Sequence, residues 1–454
     1  KDEAGITITN DEFSIPYANP GDVYDNADNP FYVVFDDDAS LGEYSFSLLL
    51  LYNGPAGGDY DQYIDFTFNL TLDQYGWPFT TPNQVVSSPA IVDINSDSEL
   101  EVIFSDYDGL VRVVNVSGEE LCSFDTGNQI WGSPAIGDID NDNELEIITT
   151  SKSKHLYVLD SGGNLELDYD AGQFLMGTPA LGDIDGDGEL EIVFGGYSSP
   201  GKLFAINPDG SDVPGFPYEV GEKIQRGVAL ADFNGNGKVD IVFGTDGENL
   251  WLIYDDLTVA DGFPFEAGHD FRTDPSVLSI NEEMFIFAGS RDDNFYALNS
   301  DGSLRFQIES GGDISESSGI VDTENGPGIF FGSNDGYLYG VDLEGNSLPG
   351  WPLVLEADIV SSPCFADLDG DGIVEVIAAT NEKLYAVSLN GMMYAHFPID
   401  HTSSFSGSPT IADIDLDNDL EILIGSINGL VGIDIKEFGM IENQWNMHRG
   451  NPER

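Results

Sequence analysis

One short phrase occurs six times in this chain: an apolar strand, an aspartate-rich turn and a second apolar strand. The third copy, residues 177–194, reads Gly-Thr-Pro-Ala-Leu-Gly-Asp-Ile-Asp-Gly-Asp-Gly-Glu-Leu-Glu-Ile-Val-Phe. Its Asp183, Asp185 and Asp187 stand at positions 1, 3 and 5 of a tight turn, and Glu191 follows at position 9. Carboxylate oxygens at this spacing, with a backbone carbonyl at position 7, can surround a Ca²⁺ ion, and glycine permits the turn. The phrase therefore predicts a metal site on a strand-turn-strand unit.

All six turns carry an oxygen-bearing side chain at positions 1, 3, 5 and 9. The predicted Ca²⁺ ligands are Asp93, Asn95, Asp97, Glu101, Asp138, Asp140, Asp142, Glu146, Asp183, Asp185, Asp187, Glu191, Asp232, Asn234, Asn236, Asp240, Asp367, Asp369, Asp371, Glu375, Asp413, Asp415, Asp417 and Glu421. An EF-hand would also need a bidentate glutamate at position 12 and a helix on each side. Position 12 is instead Phe194, Thr149 or Ala378 in three of the copies, and the flanking sequences are typical of strands.

The spacing of the turns predicts the architecture. Their first aspartates are separated by 45, 45, 49 and 46 residues wherever two copies are neighbours. The remaining gap, from Asp232 to Asp367, holds two further units that begin near Asp274 and Ser318 and keep the strands without the aspartates. A period of about 40–50 residues with four short strands per unit is typical of a β-propeller. We count eight units, which predicts an all-β, eight-bladed propeller with calcium-binding loops.

The sequence also indicates how the ring closes. Residues 75–79 read Tyr-Gly-Trp-Pro-Phe and match the openings of later fourth strands, such as 214–218 and 349–353. The last unit, by contrast, ends after its third strand, residues 430–435. We predict that the early strand completes the last blade, because this pairing leaves no sheet edge open.

The repeated phrase resembles the FG-GAP or VCBS family of calcium-binding propeller repeats, which also occur in integrin α-subunit heads and in many secreted bacterial proteins. The resemblance covers residues 75–435. It implies the propeller fold and bound calcium, and it says little about the ligand. The fifth and sixth units depart from the pattern, and position 9 is mostly Glu where the family often has Asp. We expect calcium in six blades only.

Three segments are expected along the chain. Residues 1–73 lack the repeat and alternate apolar with polar residues, which predicts a small β-sandwich-like segment, part of an immunoglobulin-like domain. A turn at 53–58 separates its last two strands. Residues 74–440 form the propeller, and 441–454 form a C-terminal tail in which we expect Trp445 to plug against the last blade. A chain that begins at Lys1 is expected to be a processed or excised piece of a secreted precursor.

Composition limits the partners. The chain has 15 basic and 82 acidic residues, a formal net charge of −67, which excludes nucleic acid as an expected partner. The longest apolar run, residues 46–52, is too short to cross a membrane, so no membrane insertion is expected. Cys122 and Cys364 fall in different units, so no disulfide is expected between them. Weak calcium sites fill in the millimolar calcium outside cells, which predicts an extracellular or cell-surface protein.

The sequence favours binding over catalysis. Its five histidines form no zinc motif, and no nucleophile elbow or phosphate loop is present. We interpret the acidic turns as structural calcium sites and predict a non-catalytic binding or adhesion module for a glycan or protein ligand at the cell surface. Candidate ligand contacts lie on the face opposite the metal turns. They are Trp131, Gln225, Arg272 and Glu316.

Two other classes of function remain open at this point. One is an accessory or catalytic domain of an extracellular enzyme that degrades polysaccharide or protein. That alternative would gain from a funnel in which Lys, Arg or His residues cluster beside paired acids. The other is a structural subunit of a surface layer or filament.

Overall fold

Every regular element that the structure describes is a β-strand, as the sequence predicts. This computed structural model describes residues 6–15, 23, 25–28, 30–35, 39, 41–53, 59–441 and 445–451. The chain divides into two compact units, Lys1–Leu72 and Asp73–Arg454. Among the described residues, no helical segment has the length and apolarity that a membrane crossing requires.

The first unit contains two separate two-stranded antiparallel sheets. Strand β1 (Ile6–Thr9) pairs with β2 (Tyr32–Phe35), and β3 (Gly42–Asn53) pairs with β4 (Asp59–Leu70). Period-two alternation along β3 and β4 places aromatic residues on one face of their sheet, where Phe46 stacks on Phe66 at 5.8 Å between ring centroids. Most of the predicted turn at 53–58 lies outside the described residues. Membership of an immunoglobulin-like domain stays a prediction.

The second unit is the predicted eight-bladed propeller, each blade a four-stranded antiparallel sheet. Strand β5 (Phe79–Thr80) comes first along the chain. The first four blades are β6 (Ala90–Val92), β7 (Glu101–Ser105), β8 (Leu110–Asn115) and β9 (Glu120–Asp125); β10 (Ala135–Gly137), β11 (Glu146–Thr150), β12 (His155–Leu159) and β13 (Leu165–Asp170); β14 (Ala180–Gly182), β15 (Glu191–Gly195), β16 (Lys202–Ile206) and β17 (Tyr218–Glu219); and β18 (Val228–Ala231), β19 (Asp240–Gly244), β20 (Asn249–Ile253) and β21 (Phe265–Glu266).

The remaining strands complete the ring. The fifth to eighth blades are β22 (Ser276–Ile280), β23 (Glu283–Gly289), β24 (Asn294–Asn299) and β25 (Leu304–Glu309); β26 (Gly319–Thr323), β27 (Gly326–Gly332), β28 (Tyr337–Val341) and β29 (Leu353–Val354); β30 (Cys364–Ala366), β31 (Glu375–Ala379), β32 (Lys383–Ser388) and β33 (Ile399–Asp400); and β34 (Thr410–Ala412), β35 (Asp419–Ser426) and β36 (Gly429–Phe438), with β5 as the fourth strand of the last blade.

The predicted ring closure is confirmed. Strand β5 pairs antiparallel with β36, with Phe79 opposite Leu430 and Thr80 opposite Gly429. The preceding Trp77-Pro78 bond is cis, as are the matching bonds before the short fourth strands of other blades, such as Phe216-Pro217 and Trp351-Pro352. The strand that precedes the first blade along the chain therefore completes the sheet of the last blade.

The apolar cores lie between neighbouring blades. One cluster joins Ile148 of the second blade to Ile192 and Phe204 of the third. Another contains Phe295 and Phe331, from the fifth and sixth blades, stacked at 3.9 Å between ring centroids. A single blade has both faces apolar and cannot bury them alone, so every blade depends on its neighbours and the ring depends on its closure.

The pairing of the closing strands leaves no room for a side chain at Gly429. Its φ is 149°, and a Cβ atom there would collide with the carbonyl oxygen of Phe79. Gly127 also has positive φ, 75°, but a Cβ there would meet no atom within 4 Å. We expect Gly127→Ala to cost about 1–2 kcal/mol, the usual left-handed penalty, and Gly429→Ala to cost clearly more. Thermal melts of the two variants compare these costs, and equal losses would contradict the packing described for the closing strands.

Candidate metal sites and the central funnel

Each acidic turn is folded by its own carboxylates. In the third blade, Asp183 accepts hydrogen bonds from the backbone N–H groups of Gly186 (2.6 Å) and Gly188 (3.2 Å). Asp187 likewise accepts from Glu189 at 2.9 Å. These bonds tie the side chains of positions 1 and 5 to the backbone of the turn.

Positions 4 and 6 are left-handed in all six turns. Glycine occupies both places in three of them, for example Gly186 (φ 81°) and Gly188 (φ 93°) in the third blade. In the others the same conformation is adopted by serine, asparagine and, at φ 60° in the eighth blade, Leu416. The backbone geometry is thus common to the six turns and does not depend on glycine.

The carboxylate at position 9 is buried beneath the turn in every case. In the third blade Glu191 Oε2 accepts a hydrogen bond from the Ile184 N–H at 2.7 Å, and Glu191 Oε1 is shielded from solvent with no hydrogen-bond partner among the described residues. Burial, with repulsion from Asp185 and Asp187, raises the pKa of Glu191 to about 7. A buried carboxylate with an unpaired oxygen fits a site that takes a cation.

The other turns differ in how that second oxygen is satisfied. In the first blade Asn95 Nδ2 donates to Glu101 Oε1 at 3.0 Å, and in the fourth blade Asn234 Nδ2 donates to Asp240 Oδ1 at 3.2 Å. The amide of asparagine at position 3 therefore stabilises the buried carboxylate at position 9 by a hydrogen bond, in part as a bound ion would. In the eighth blade, as in the third, position 9 keeps an oxygen without a described partner, on Glu421.

Four turns bring three or more carboxylates together, with ligand atoms within 4.8 Å of one another. The groups are Asp138, Asp140 and Glu146; Asp183, Asp185 and Glu191; Asp367, Asp369 and Asp371; and Asp415, Asp417, Asp419 and Glu421. These clusters could hold a metal ion. In the described residues the turns of the first and fourth blades do not form such a carboxylate group, and both carry asparagine at position 3. The individual ligand roles stay predictions, and sequence reasoning missed Asp419.

A belt of hydrogen bonds links successive blades around the central channel. The Ser88 N–H donates to Ser133 Oγ at 2.9 Å, and the Ser133 N–H donates to Thr178 Oγ1 at 3.0 Å. The same contact recurs between later blades, for example from Ser362 to Ser408 at 2.9 Å. In the fourth blade this place is taken by Gly227, which has no hydroxyl group.

The described part of the C-terminal tail, residues 445–451, lies in this channel. Trp445 O accepts a hydrogen bond from the Phe365 N–H of the seventh blade (2.8 Å), and its ring packs against the cores of the fifth to seventh blades. The expectation that Trp445 plugs against the last blade is therefore wrong in position, since Asn446 makes that contact through Ile411. Further along, Arg449 Nη1 lies where a Cβ on Gly227 would be only 2.7 Å away, so the glycine makes room for the tail.

A cavity of about 200 Å³ opens at the funnel, on the face opposite the acidic turns. Trp131, Gln225 and Glu316, three of the four candidate ligand contacts, line it, and their role in ligand binding stays a prediction. Arg272 does not line it. The Arg272 Nε atom lies 2.9 Å from Asp270 and 3.2 Å from Asp246, in a network beside the funnel.

Arg226 is the cation that lines the cavity, and sequence reasoning missed it. Its Nη2 donates to Glu316 Oε1 at 3.1 Å and to the Ser315 carbonyl at 3.0 Å. Arg226 immediately precedes the belt residue Gly227, and the corresponding places in the second and third blades are Gly132 and Gly177. A long charged residue where other repeats have glycine was the signal available in the sequence.

The fold and the turns define the class of protein: an eight-bladed propeller in which six blades carry acidic metal-type turns. A family model described as FG-GAP-like repeat matches residues 183–243, across the turns of the third and fourth blades, and together with the eight-bladed fold this match supports an FG-GAP β-propeller. No curated protein matches the chain in sequence.

Solved structures with a similar fold are distant in sequence. The Vibrio cholerae (V. cholerae) biofilm matrix protein Bap1 is 14% identical, with a TM-score of 0.61 over 84% of this chain and 95% of Bap1. Quinohemoprotein alcohol dehydrogenase from Comamonas testosteroni is 9% identical, with a TM-score of 0.56 over 79% and 75% of the two chains. BamB from Moraxella catarrhalis is 14% identical, with a TM-score of 0.53 over 77% and 96%. These likenesses concern the fold alone.

One substitution tests whether each turn stabilises its own blade. In protein saturated with calcium, Asp185→Ala should leave the remaining carboxylates of the third turn without a complete ligand set, and hydrogen exchange should rise around residues 183–194. The fifth blade, whose turn lacks the aspartates, is the internal control and should be unchanged. An equal rise in all blades, or none in the third, would contradict local stabilisation.

Proposed function

We propose that this protein is an extracellular, calcium-stabilised propeller that binds a glycan or protein ligand in its central funnel without catalysing a reaction. The observation that carries the proposal is the funnel cavity, in which aromatic, amide and charged side chains from different blades converge on one space. The acidic turns lie at the opposite end of the inner strands. Metal binding and ligand binding therefore occupy separate faces of the propeller.

Calcium is the cation that suits the turns. Their ligand atoms are carboxylate, amide and carbonyl oxygens on a flexible loop, a donor set that favours a large hard cation of irregular coordination. The residues predicted from the sequence would hold it, in company with Asp419 in the eighth blade. When bound, the ion would supply a positive charge to the buried carboxylates at position 9, and in a chain of net charge −67 it would also reduce repulsion between blades.

The cavity wall suits a saccharide or a carboxylate-bearing peptide. Trp131 and Tyr107 contact each other at 5.5 Å between ring centroids, and Lys152 Nζ lies 5.3 Å from the centre of the Trp131 ring. An aromatic surface can stack on the apolar face of a sugar, and Gln225 and Arg226 offer hydrogen bonds beside it. Arg226 is fixed by Glu316, so the guanidinium is already oriented for a ligand.

The alternative function is that of an enzyme, since His448 and Arg226 lie beside the acids Asp274 and Glu316 in the funnel. The contacts of these side chains argue against catalysis. His448 Nε2 lies 2.9 Å from Asp274 Oδ2 and its Nδ1 lies 3.1 Å from Ser362 Oγ, so both ring nitrogens are engaged by the protein. Asp274 also accepts a hydrogen bond from the Gly227 N–H and so takes part in the belt of hydrogen bonds around the channel. We interpret this group as the anchor of the tail.

The extracellular location is supported by the calcium requirement of the turns and by the shared fold with a biofilm matrix protein. The likeness is compatible with an adhesive role and carries no information about the ligand itself.

Arrays of glycans and peptides, probed with the protein in calcium, test the binding function. For any ligand found, Trp131→Ala should lower the affinity by roughly tenfold or more, because it removes the central aromatic surface. Phe174→Ala is the matched control, since Phe174 also lies under a lysine (Lys154, 5.2 Å) but does not line the cavity. Equal affinity of the Trp131 variant and wild type, with the fold intact, would exclude the funnel as the binding site.

A further inference from the structure

The eighth blade differs from the others because the ring closes there. In the second blade Asp160 follows the third strand and lies opposite Glu146 in the register. Its carboxylate caps the next turn, accepting from the Gly162 N–H (2.9 Å) and the Asn164 N–H (2.8 Å). In the eighth blade β5 supplies the fourth strand, so β36 makes no such turn and continues to Phe438. The acid opposite Glu421 is Asp434, and it has no turn to cap.

Asp434 is nevertheless buried, with 3% of its surface exposed. Its Oδ1 atom has no hydrogen-bond partner among the described residues, and the same holds for Asp419 Oδ1 and Glu421 Oε1 in the same blade. Three shielded carboxylate oxygens without partners are costly unless a cation lies among them or neighbouring carboxyl groups share a proton, as Asp419 and Glu421 can.

One cation already reaches two of these groups. The Lys436 ammonium contacts Asp434 Oδ2 and lies 4.0 Å from Asp419 Oδ2. Asp419 also belongs to the group formed by Asp415, Asp417 and Glu421 in the turn. It therefore lies between the turn and Asp434, and a cation beside Asp434 would be a neighbour of the ion in the turn, not the same ion.

We propose that the eighth blade binds a second divalent cation, of the Ca²⁺ type, between Asp419, Glu421 and Asp434. The turn and the adjoining strand carry the carboxylates of Asp413, Asp415, Asp417, Asp419, Glu421 and Asp434 against the single ammonium of Lys436. One divalent ion leaves this region strongly negative, and a second one brings it close to neutrality. Lys436 is exposed on a flexible stem and can move outward when the ion binds. The site needs no ligand in the funnel.

Equilibrium dialysis with Ca²⁺ as the probe tests the second site by counting bound ions per chain. Asp434→Asn should bind one ion fewer than wild type, Asp415→Ala should lose the ion of the turn because it removes a ligand oxygen, and the double variant should lose both. Asp160→Asn is the matched control and should bind the wild-type number. If Asp434→Asn binds as many ions as wild type, or if the double variant loses no more than Asp415→Ala, there is no separate second site.

Thermal melts of the same variants give an independent readout. Without metal, Asp434→Asn should melt at a higher temperature than wild type, because it removes a buried charge; in saturating Ca²⁺ the order should reverse. If Lys436 is the permanent counter-ion instead, Lys436→Gln will destabilise the protein in both conditions and will not increase calcium binding, which would overturn the proposal.

Discussion

A buried carboxylate beneath each acidic turn is the interaction on which the six repeated sites depend. In all six the position-9 side chain accepts a hydrogen bond from the backbone N–H next to the first aspartate, at 2.7 Å in the third and eighth blades and up to 3.1 Å in the first. The bond ties the start of the second strand to the end of the first. It also places a negative charge under a ring of other negative charges, an arrangement that a bound cation stabilises.

The remaining architecture follows from the fact that a single blade cannot bury both of its apolar faces. Their cores are shared between neighbours, the belt of hydrogen bonds passes from blade to blade around the channel, and β5 returns from the start of the propeller to complete the last sheet. Ring closure also changes the surroundings of Asp434. Because no turn follows β36, Asp434 is buried without a turn to cap, unlike Asp160 in the second blade.

Much of this could be predicted from the sequence, and the reasons are physical. The repeat period, the acidic turns and the orphan strand at residues 75–79 predict the blade count and the closure, because each depends on local spacing. The same alignment places Trp131 and Gln225 at the funnel, where they line the cavity, and their contact with a ligand stays a prediction. These are properties that every repeat shares.

What could not be predicted depends on contacts between distant residues. Arg272 falls in the aligned place, yet Asp246 and Asp270 hold it beside the funnel, and Arg226 lines the cavity instead. The course of the tail through the channel depends on the space beside Gly227, which no local pattern reveals. Asp419 and Asp434 join the eighth turn only through strand pairing across β35 and β36.

The central claim is that cations bound in the turns, not general screening of charge, hold the ring together. Calorimetric melting of the metal-free protein, in Ca²⁺ and in KCl of matched ionic strength, tests it most directly. The account predicts a rise in melting temperature with Ca²⁺ that KCl does not reproduce and that a chelator reverses. An equal rise in both salts, or a melt that Ca²⁺ and the chelator leave unchanged, would contradict it.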